Sequence, residues 1–216
     1  MKNVTAVIVN YQTPLLLDDA VSTFKKFYPS VNLLIFDNGS RDNSPEVIKS
    51  LQKKFPDSIQ AHFEPENIFH GPALHKSISE LVQNDFCFFL DSDTVTKKKG
   101  FLEKGVKILA SDKKNYALGR MIKTNYRGFK VPDGTPIVVT PYLLMKTRPY
   151  AEVPPFIHHG QPVLHNFREA QKQGMKLIDF PMHDYIDHLW RGTASKYGYG
   201  LGLRGKFEYL LNKMGL

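Results

Sequence analysis

Cysteine is almost missing from this 216-residue chain. The single one, Cys87, rules out a disulfide framework and a cysteine-based zinc site. Long apolar runs are missing as well: none approaches the ~20 residues that a membrane-spanning helix requires. The apolar start, Val4 to Val9, is short and carries no small-residue cleavage site, so it does not read as a secretory leader. No Walker sequence occurs and no Gly-rich phosphate loop follows the first apolar run. These absences argue against a P-loop NTPase and a dinucleotide-dependent enzyme. No internal repeat or low-complexity tract is present. A reducing, cytoplasmic setting is the expectation, with peripheral contact at the inner face of a membrane as its alternative.

The residues that are present describe an ordinary globular protein. Hydrophobic residues make up 42% and charged residues 23%, which excludes disorder over most of the chain. The length corresponds to one domain. Lysine and arginine total 29 against 21 acidic residues, and the net charge of +8 favours anionic partners: nucleotides, nucleic acid or an acidic membrane. The run Lys97-Lys98-Lys99 has no interleaved aromatic residue and reads as a solvated face, so no nucleic-acid partner is expected.

Apolar periodicity gives an α/β order. Val4 to Val9, Val31 to Phe36 and Phe86 to Leu90 are apolar on both faces, as buried parallel strands are. Helices are predicted from Leu15 to Tyr28, from Ser44 to Phe55 with Ser44 as N-cap and Pro45 at the first position, and from Pro72 to Gln83. A short strand falls near Ile59 to Phe63. The second half is less regular. Strands are predicted at Tyr116 to Met121, at Gly134 to Leu144 as a hairpin, and at Leu177 to Tyr185. A helix is predicted from Gly160 to Gly174, with Gly174 as its C-cap. The sum is a mainly parallel central sheet flanked by helices.

Three strands end in polar residues: Val9-Asn10-Tyr11, Asp37-Asn38 and Asp91-Ser92-Asp93. Asp, Asn and Gly often end strands for turn chemistry alone. Three such ends on one parallel sheet form a ligand crevice at its carboxyl edge. Asp91 and Asp93, two apart after a buried strand, present their carboxylates to one side. Close carboxylates repel unless a cation lies between them, and a hard divalent ion such as Mg²⁺ or Mn²⁺ meets that need. Gly71 precedes a helix beginning at Pro72, where a phosphate could approach the first N–H groups, with Lys76 one turn further on. His188-Leu189-Trp190-Arg191 groups a candidate metal ligand, an aromatic face and a cation. In the tail, Phe207, Leu210, Leu211 and Met214 share one helical face, fit to pack on the domain or to meet an anionic membrane beside Lys206 and Lys213.

In this order the motifs resemble the family 2 glycosyltransferases of GT-A fold, over Val4 to about Thr193. Thr5 to Tyr11 resembles the opening strand, Ile35 to Ser40 the base-binding turn, and Asn67 to Leu74 the segment closing over the nucleotide. Leu90 to Thr94 resembles the Asp-x-Asp metal motif, and His188 the late histidine of the metal or diphosphate site. The resemblance implies sugar transfer from a nucleotide diphosphate donor, a UDP-sugar first, to a carbohydrate or lipid-linked hydroxyl acceptor, with inversion. Asn10, Tyr11, Asp37 and Asn38 would hold base and ribose. Asp91, Ser92, Asp93 and His188 would hold ribose and Mn²⁺ or Mg²⁺, and Arg191 the diphosphate. It also implies a nucleotide-binding half of about residues 1–95, an acceptor half of about 96–195 and a tail of 196–216.

Two positions depart from the pattern. The family's usual acidic pair, which includes the catalytic base, is replaced by His158-His159-Gly160-Gln161, and His75 stands where Asn is common. His159 and His158 are the substitute bases, having a reference pKa near ~6.5. Asp184 and Asp187 are further candidates. A nucleotidyltransferase and a polyanion-binding module are the alternative functions.

Overall fold

The computed structural model describes residues 3–190. Arg191 and the expected tail helix lie outside the described residues, as does a Gly-x-Gly-x-x-Gly spelling at 200–205. The chain runs β1 (Val4–Asn10), α1 (Pro14–Phe27), β2 (Asn32–Asp37), α2 (Ser44–Lys54), β3 (Ile59–Phe63), α3 (His70–Lys76) and β4 (Phe86–Leu90). It continues through β5 (Thr94–Thr96), α4 (Phe101–Ala110), β6 (Asn115–Gly119), β7 (Met121–Thr124), β8 (Thr135–Val138) and β9 (Tyr142–Lys146). It ends with α5 (Leu164–Lys172), β10 (Lys176–Asp179) and β11 (Ile186–His188).

Seven strands form one sheet in the order β10-β6-β9-β4-β1-β2-β3. All are parallel except β9, which pairs antiparallel with both β4 and β6. The carboxyl ends of β1, β2, β3, β4, β6 and β10 therefore share one edge. Alternation along the strands divides the core in two. Ala6, Ile8 and Phe88 pack with Leu17 and Phe24 of α1 and Phe101 of α4. Val7 and Phe89 pack on the other face with Leu74 of α3 and Phe167 of α5. Among the described residues no helix is long and apolar enough to cross a membrane.

The first half follows its periodicity, with α3 continued by a π-helical turn, Ser77–Leu81. Ser44 is not the cap. It is the first helical residue, its hydroxyl has no hydrogen-bond partner among the described residues, and its N–H donates to Asp42 Oδ1 at 3.0 Å.

The second half departs further. The expected hairpin at Gly134 to Leu144 is two strands in different sheets: β8 pairs with β7, and β9 enters the main sheet. Tyr116 to Met121 likewise divides into β6 and β7. Leu177 to Tyr185 is a strand only to Asp179, and Pro181 then leads into a 3-10 turn, Met182–Asp184. The helix expected from Gly160 starts at Leu164, and Gly174 follows it in the left-handed region, at φ +81°. Helix α4 is legible in retrospect from Phe101, Leu102 and Leu109, all fully buried.

Candidate metal and nucleotide site at the carboxyl edge

Asp91 is the first residue beyond β4, and its backbone is fixed on both sides. Its N–H donates to the Pro141 carbonyl at 3.1 Å, and its own carbonyl accepts from the Thr94 hydroxyl at 2.7 Å. The chain passes through Ser92 and Asp93 into β5, which pairs antiparallel with β11. That pairing sets His188 opposite Thr94, and the Leu189 N–H donates to the Asp93 carbonyl at 2.9 Å. A two-stranded ribbon thus carries His188 from far down the chain to both carboxylates. His188 Nε2 lies 2.9 Å from Asp93 Oδ1 and 3.6 Å from Asp91 Oδ2. One ligand atom from each residue lies within 4.8 Å of the others.

The electrostatics of the cluster are unbalanced. Burial raises the Asp91 carboxyl, and the like charge of Asp93 adds to this, while His70 and His188 oppose it; the net shift is upward. Burial alone would lower His188, but the Asp93 hydrogen bond and both carboxylates outweigh it and hold the imidazole above its ordinary value. Two carboxylates and an imidazole gathered on one point fit a divalent cation. His188 Nδ1 is buried without a hydrogen-bond partner among the described residues.

The other two strand ends join this cluster through hydrogen bonds. The Asn10 amide donates to Asp37 Oδ1 at 3.0 Å, and its Oδ1 accepts from the Thr13 hydroxyl at 2.9 Å. The Thr13 and Ser92 hydroxyls are 3.0 Å apart. Asn10 and Asp37 are 0% and 2% exposed, so their side chains brace the crevice from within. Asn38 accepts from the Ile68 N–H and donates to Asn67, both at 3.0 Å, which holds segment 66–69 against the end of β2. Gly39 is required there: its φ is +76°, and a Cβ would come 2.3 Å from the Glu66 backbone. Tyr11 is half-buried at the rim, and Val9 packs on the second core.

Some expected site residues have other neighbours. Lys76 is ion-paired with Glu64 at 2.6 Å, and Glu64 also meets His62 at 2.7 Å. A Cβ on Gly71 would meet the Ile157 carbonyl at 1.9 Å, so the missing side chain admits a protein segment. That segment carries the histidine pair. His158 stacks on Phe69, ring centres 4.0 Å apart, and His159 Nδ1 lies 3.1 Å from the Gln161 carbonyl and 3.0 Å from its N–H. Asp184 is 54% exposed beside His183, and Asp187 pairs with Lys97 at 2.7 Å. His75 bonds the Tyr150 hydroxyl at 2.9 Å, an internal role for that departure from the pattern.

His70 is the residue that the sequence reading passed over. It opens α3, and its charge acts on Asp91. The only local signal was its place beside Gly71, before a helix. Gln12, Phe69 and Trp190 are the non-glycine residues with positive φ among those described. Each adjoins a segment of this crevice, where strain is commonly stored. The Trp190 ring is 4.2 Å from that of His188.

The family model described as glycosyl transferase family 2 matches residues 5–190. An uncharacterized glycosyltransferase of Nostoc sp. is 32% identical over 95 residues, 44% of this chain and 29% of that protein. One of Haemophilus influenzae is 35% identical over 74 residues, 34% of this chain and 28% of that protein. The chain thus spans less than a third of these curated relatives in the matched regions. Among solved structures, mannosyltransferase PcManGT of Pyrobaculum calidifontis, in complex with GDP-Man and Mn²⁺, superposes with a TM-score of 0.67 at 17% identity, covering 83% of this chain and 55% of that one. TarS of S. aureus with UDP-GlcNAc gives 0.62 at 14% identity, covering 86% and 58%. The fold is that of the GT-A glycosyltransferases, as the family resemblance implied.

Proposed function

The chain belongs to glycosyl transferase family 2, and from that premise we propose that it moves a sugar from a nucleotide diphosphate donor to an acceptor hydroxyl. The observation that carries this reading is the convergence of Asp91, Asp93 and His188 at the carboxyl edge of a GT-A sheet. These three residues would hold a divalent cation, and its Lewis acidity would neutralise the departing diphosphate. A mixed carboxylate and imidazole set favours Mn²⁺ over Mg²⁺. Tyr11 and the braced Asp37-Asn38 turn would seat the base and ribose, with Ser92 beside them. UDP-sugars are the first donors to test and GDP-mannose the second, since the superposed structures hold UDP-GlcNAc and GDP-Man.

His159 is the base in this reading. The Gln161 N–H donates to Nδ1, which puts the neutral ring's proton on Nε2; the base form is the other tautomer, in which Nδ1–H donates to the Gln161 carbonyl and Nε2 accepts. The bond from the anomeric carbon to the diphosphate breaks as the bond to the acceptor oxygen forms. The acceptor proton passes to Nε2 and the nucleoside diphosphate leaves. Attack from the face opposite the leaving group inverts the centre. His158, stacked on Phe69, would hold the segment in place. Asp184 takes no part. The nucleotidyltransferase alternative needs release of pyrophosphate instead.

The test is release of UDP or GDP from a panel of nucleotide sugars with Mn²⁺ and with EDTA. Metal-dependent release that is lost in Asp93→Asn, with the circular dichroism spectrum unchanged, is the expected result. Release unaffected by EDTA and by Asp93→Asn removes the metal assignment.

A further inference from the structure

A strap of residues 153–163 joins a 3-10 turn, Arg148–Glu152, to α5 and carries His158 and His159 across the start of α3. Side chains from outside the strap hold its backbone at two places. The Asn166 amide donates to the Pro154 carbonyl at 2.7 Å, and Asn166 Oδ1 accepts from the Tyr116 hydroxyl at 3.0 Å. The Tyr150 hydroxyl accepts from the Phe156 N–H at 3.0 Å, and the two rings stand edge-on, 4.9 Å between centres. One residue further on, the Ile157 carbonyl lies against Gly71 of α3. The histidine pair follows directly.

Tyr150 is held in turn by His75 of α3, whose Nδ1 is 2.9 Å from its hydroxyl. The phenol is buried, so its proton must find a partner within the protein. Burial also pushes it well above its ordinary value, so it stays protonated and remains a donor. Its oxygen already accepts from Phe156. Assigned from this network, the phenol donates to His75 Nδ1 and the imidazole proton sits on Nε2. An acceptor at position 75 therefore orients the hydroxyl, the hydroxyl fixes the Phe156 N–H, and Phe156 leads into the two histidines. The same helix begins at His70, whose charge acts on Asp91, so the strap is referenced to the element that borders the metal cluster.

We propose that His75 is a positioning residue: through the Tyr150 hydroxyl it seats the strap so that His159 meets the acceptor hydroxyl. The proposal rests on the reading of His159 as base. What position 75 must supply is one hydrogen-bond acceptor, and bulk alone does not replace it. Asn Oδ1 is bonded to Cγ as His Nδ1 is, and offers an acceptor at the same reach. Leu fills comparable space and offers none.

Amide hydrogen exchange read by NMR on the whole chain tests the seating. In His75→Leu and in Tyr150→Phe, the Phe156 and Gln161 N–H groups are expected to exchange at least ~10-fold faster, with the β1 amides unchanged. The Gln161 N–H reports on His159 directly, because it donates to Nδ1 at 3.0 Å. His75→Asn is expected to exchange as the wild type does. Turnover is read as UDP or GDP release from the nucleotide sugar that the panel selects. His75→Leu should lower kcat by roughly 10–100-fold with the donor KM unchanged, as misplacement of a reacting group does. His75→Asn should stay within ~3-fold of wild type, and adding Tyr150→Phe to His75→Leu should cost little more, since both break one chain of bonds. Wild-type exchange in His75→Leu overturns the proposal. Equal losses in His75→Asn and His75→Leu overturn it too, as does faster exchange throughout β1, which marks a general loosening. If His159→Ala loses kcat and His75→Leu does not, this inference alone fails. If His159→Ala keeps the wild-type kcat, the base reading fails and this inference with it.

Discussion

Asp93, 4% exposed and 2.9 Å from His188, shows how one residue couples protonation to metal binding. His188 must lose its proton before it can ligate a cation, and the carboxylates hold that proton above the ordinary imidazole value. Burial pushes Asp91 in the same direction. Protons and metal therefore compete, and Mn²⁺ affinity is expected to fall as pH drops from about 8 through His188's raised pKa toward about 5. Electron paramagnetic resonance of free Mn²⁺ reads this directly, and His188→Gln should flatten the profile. The two strap histidines separate kinetically. His159→Ala is expected to lower kcat by roughly 10²–10⁴, the range for loss of a general base, and His158→Ala by less than about 10-fold. Equal losses would return the assignment to the pair. At this scale the strand-end carboxylates were legible because an alternating polar pair follows a five-residue apolar strand. His70 was not, because only the packing of α3 brings its charge to Asp91.

Elements are tied to one another by groups that periodicity does not reveal. Lys25 in α1 is 2% exposed, and its ammonium donates to the Val31 carbonyl at 2.6 Å, the Ser58 carbonyl at 3.0 Å and the Ser58 hydroxyl at 2.8 Å. It joins α1 to the approaches of β2 and β3. Burial lowers it to about 8, against about 10.4 in an unfolded chain. Between these values the unfolded state binds more protons, so stability is expected to rise with pH there; below about 8 both states hold the proton, the cost of the buried ammonium is fully present and Lys25 adds no pH dependence. Urea midpoints across that window, in wild type and in Lys25→Met, isolate the effect; the variant should lack the rise. Ribbon β5–β11 is the other such tie, since it alone delivers His188 to the aspartates. The resemblance picked out His188, but neither three-residue strand is long enough to give a periodic signal of its own.

The whole molecule has a net charge of +8, and its acids at the carboxyl edge are gathered where a cation and a diphosphate would sit. A ligand that binds only the folded chain stabilises all of it, so UDP with Mn²⁺ at about 100 times its Kd should add ~3 kcal/mol, roughly 5–10 °C in Tm for a domain of this size. UDP with EDTA should give a much smaller shift, and an equal one removes the metal from the site. Apolar runs on both faces, each closed by Asp or Asn, determined from sequence alone a parallel sheet with a polar carboxyl edge, because strand burial and turn chemistry are local properties. The tertiary structure decided what pairs with what. It placed β9 antiparallel inside the sheet, parted it from β8, seated strap 153–163 against α3 and brought His188 to Asp91 and Asp93. Those outcomes depend on contacts between segments distant in the chain, and no local period encodes the partner of such a contact.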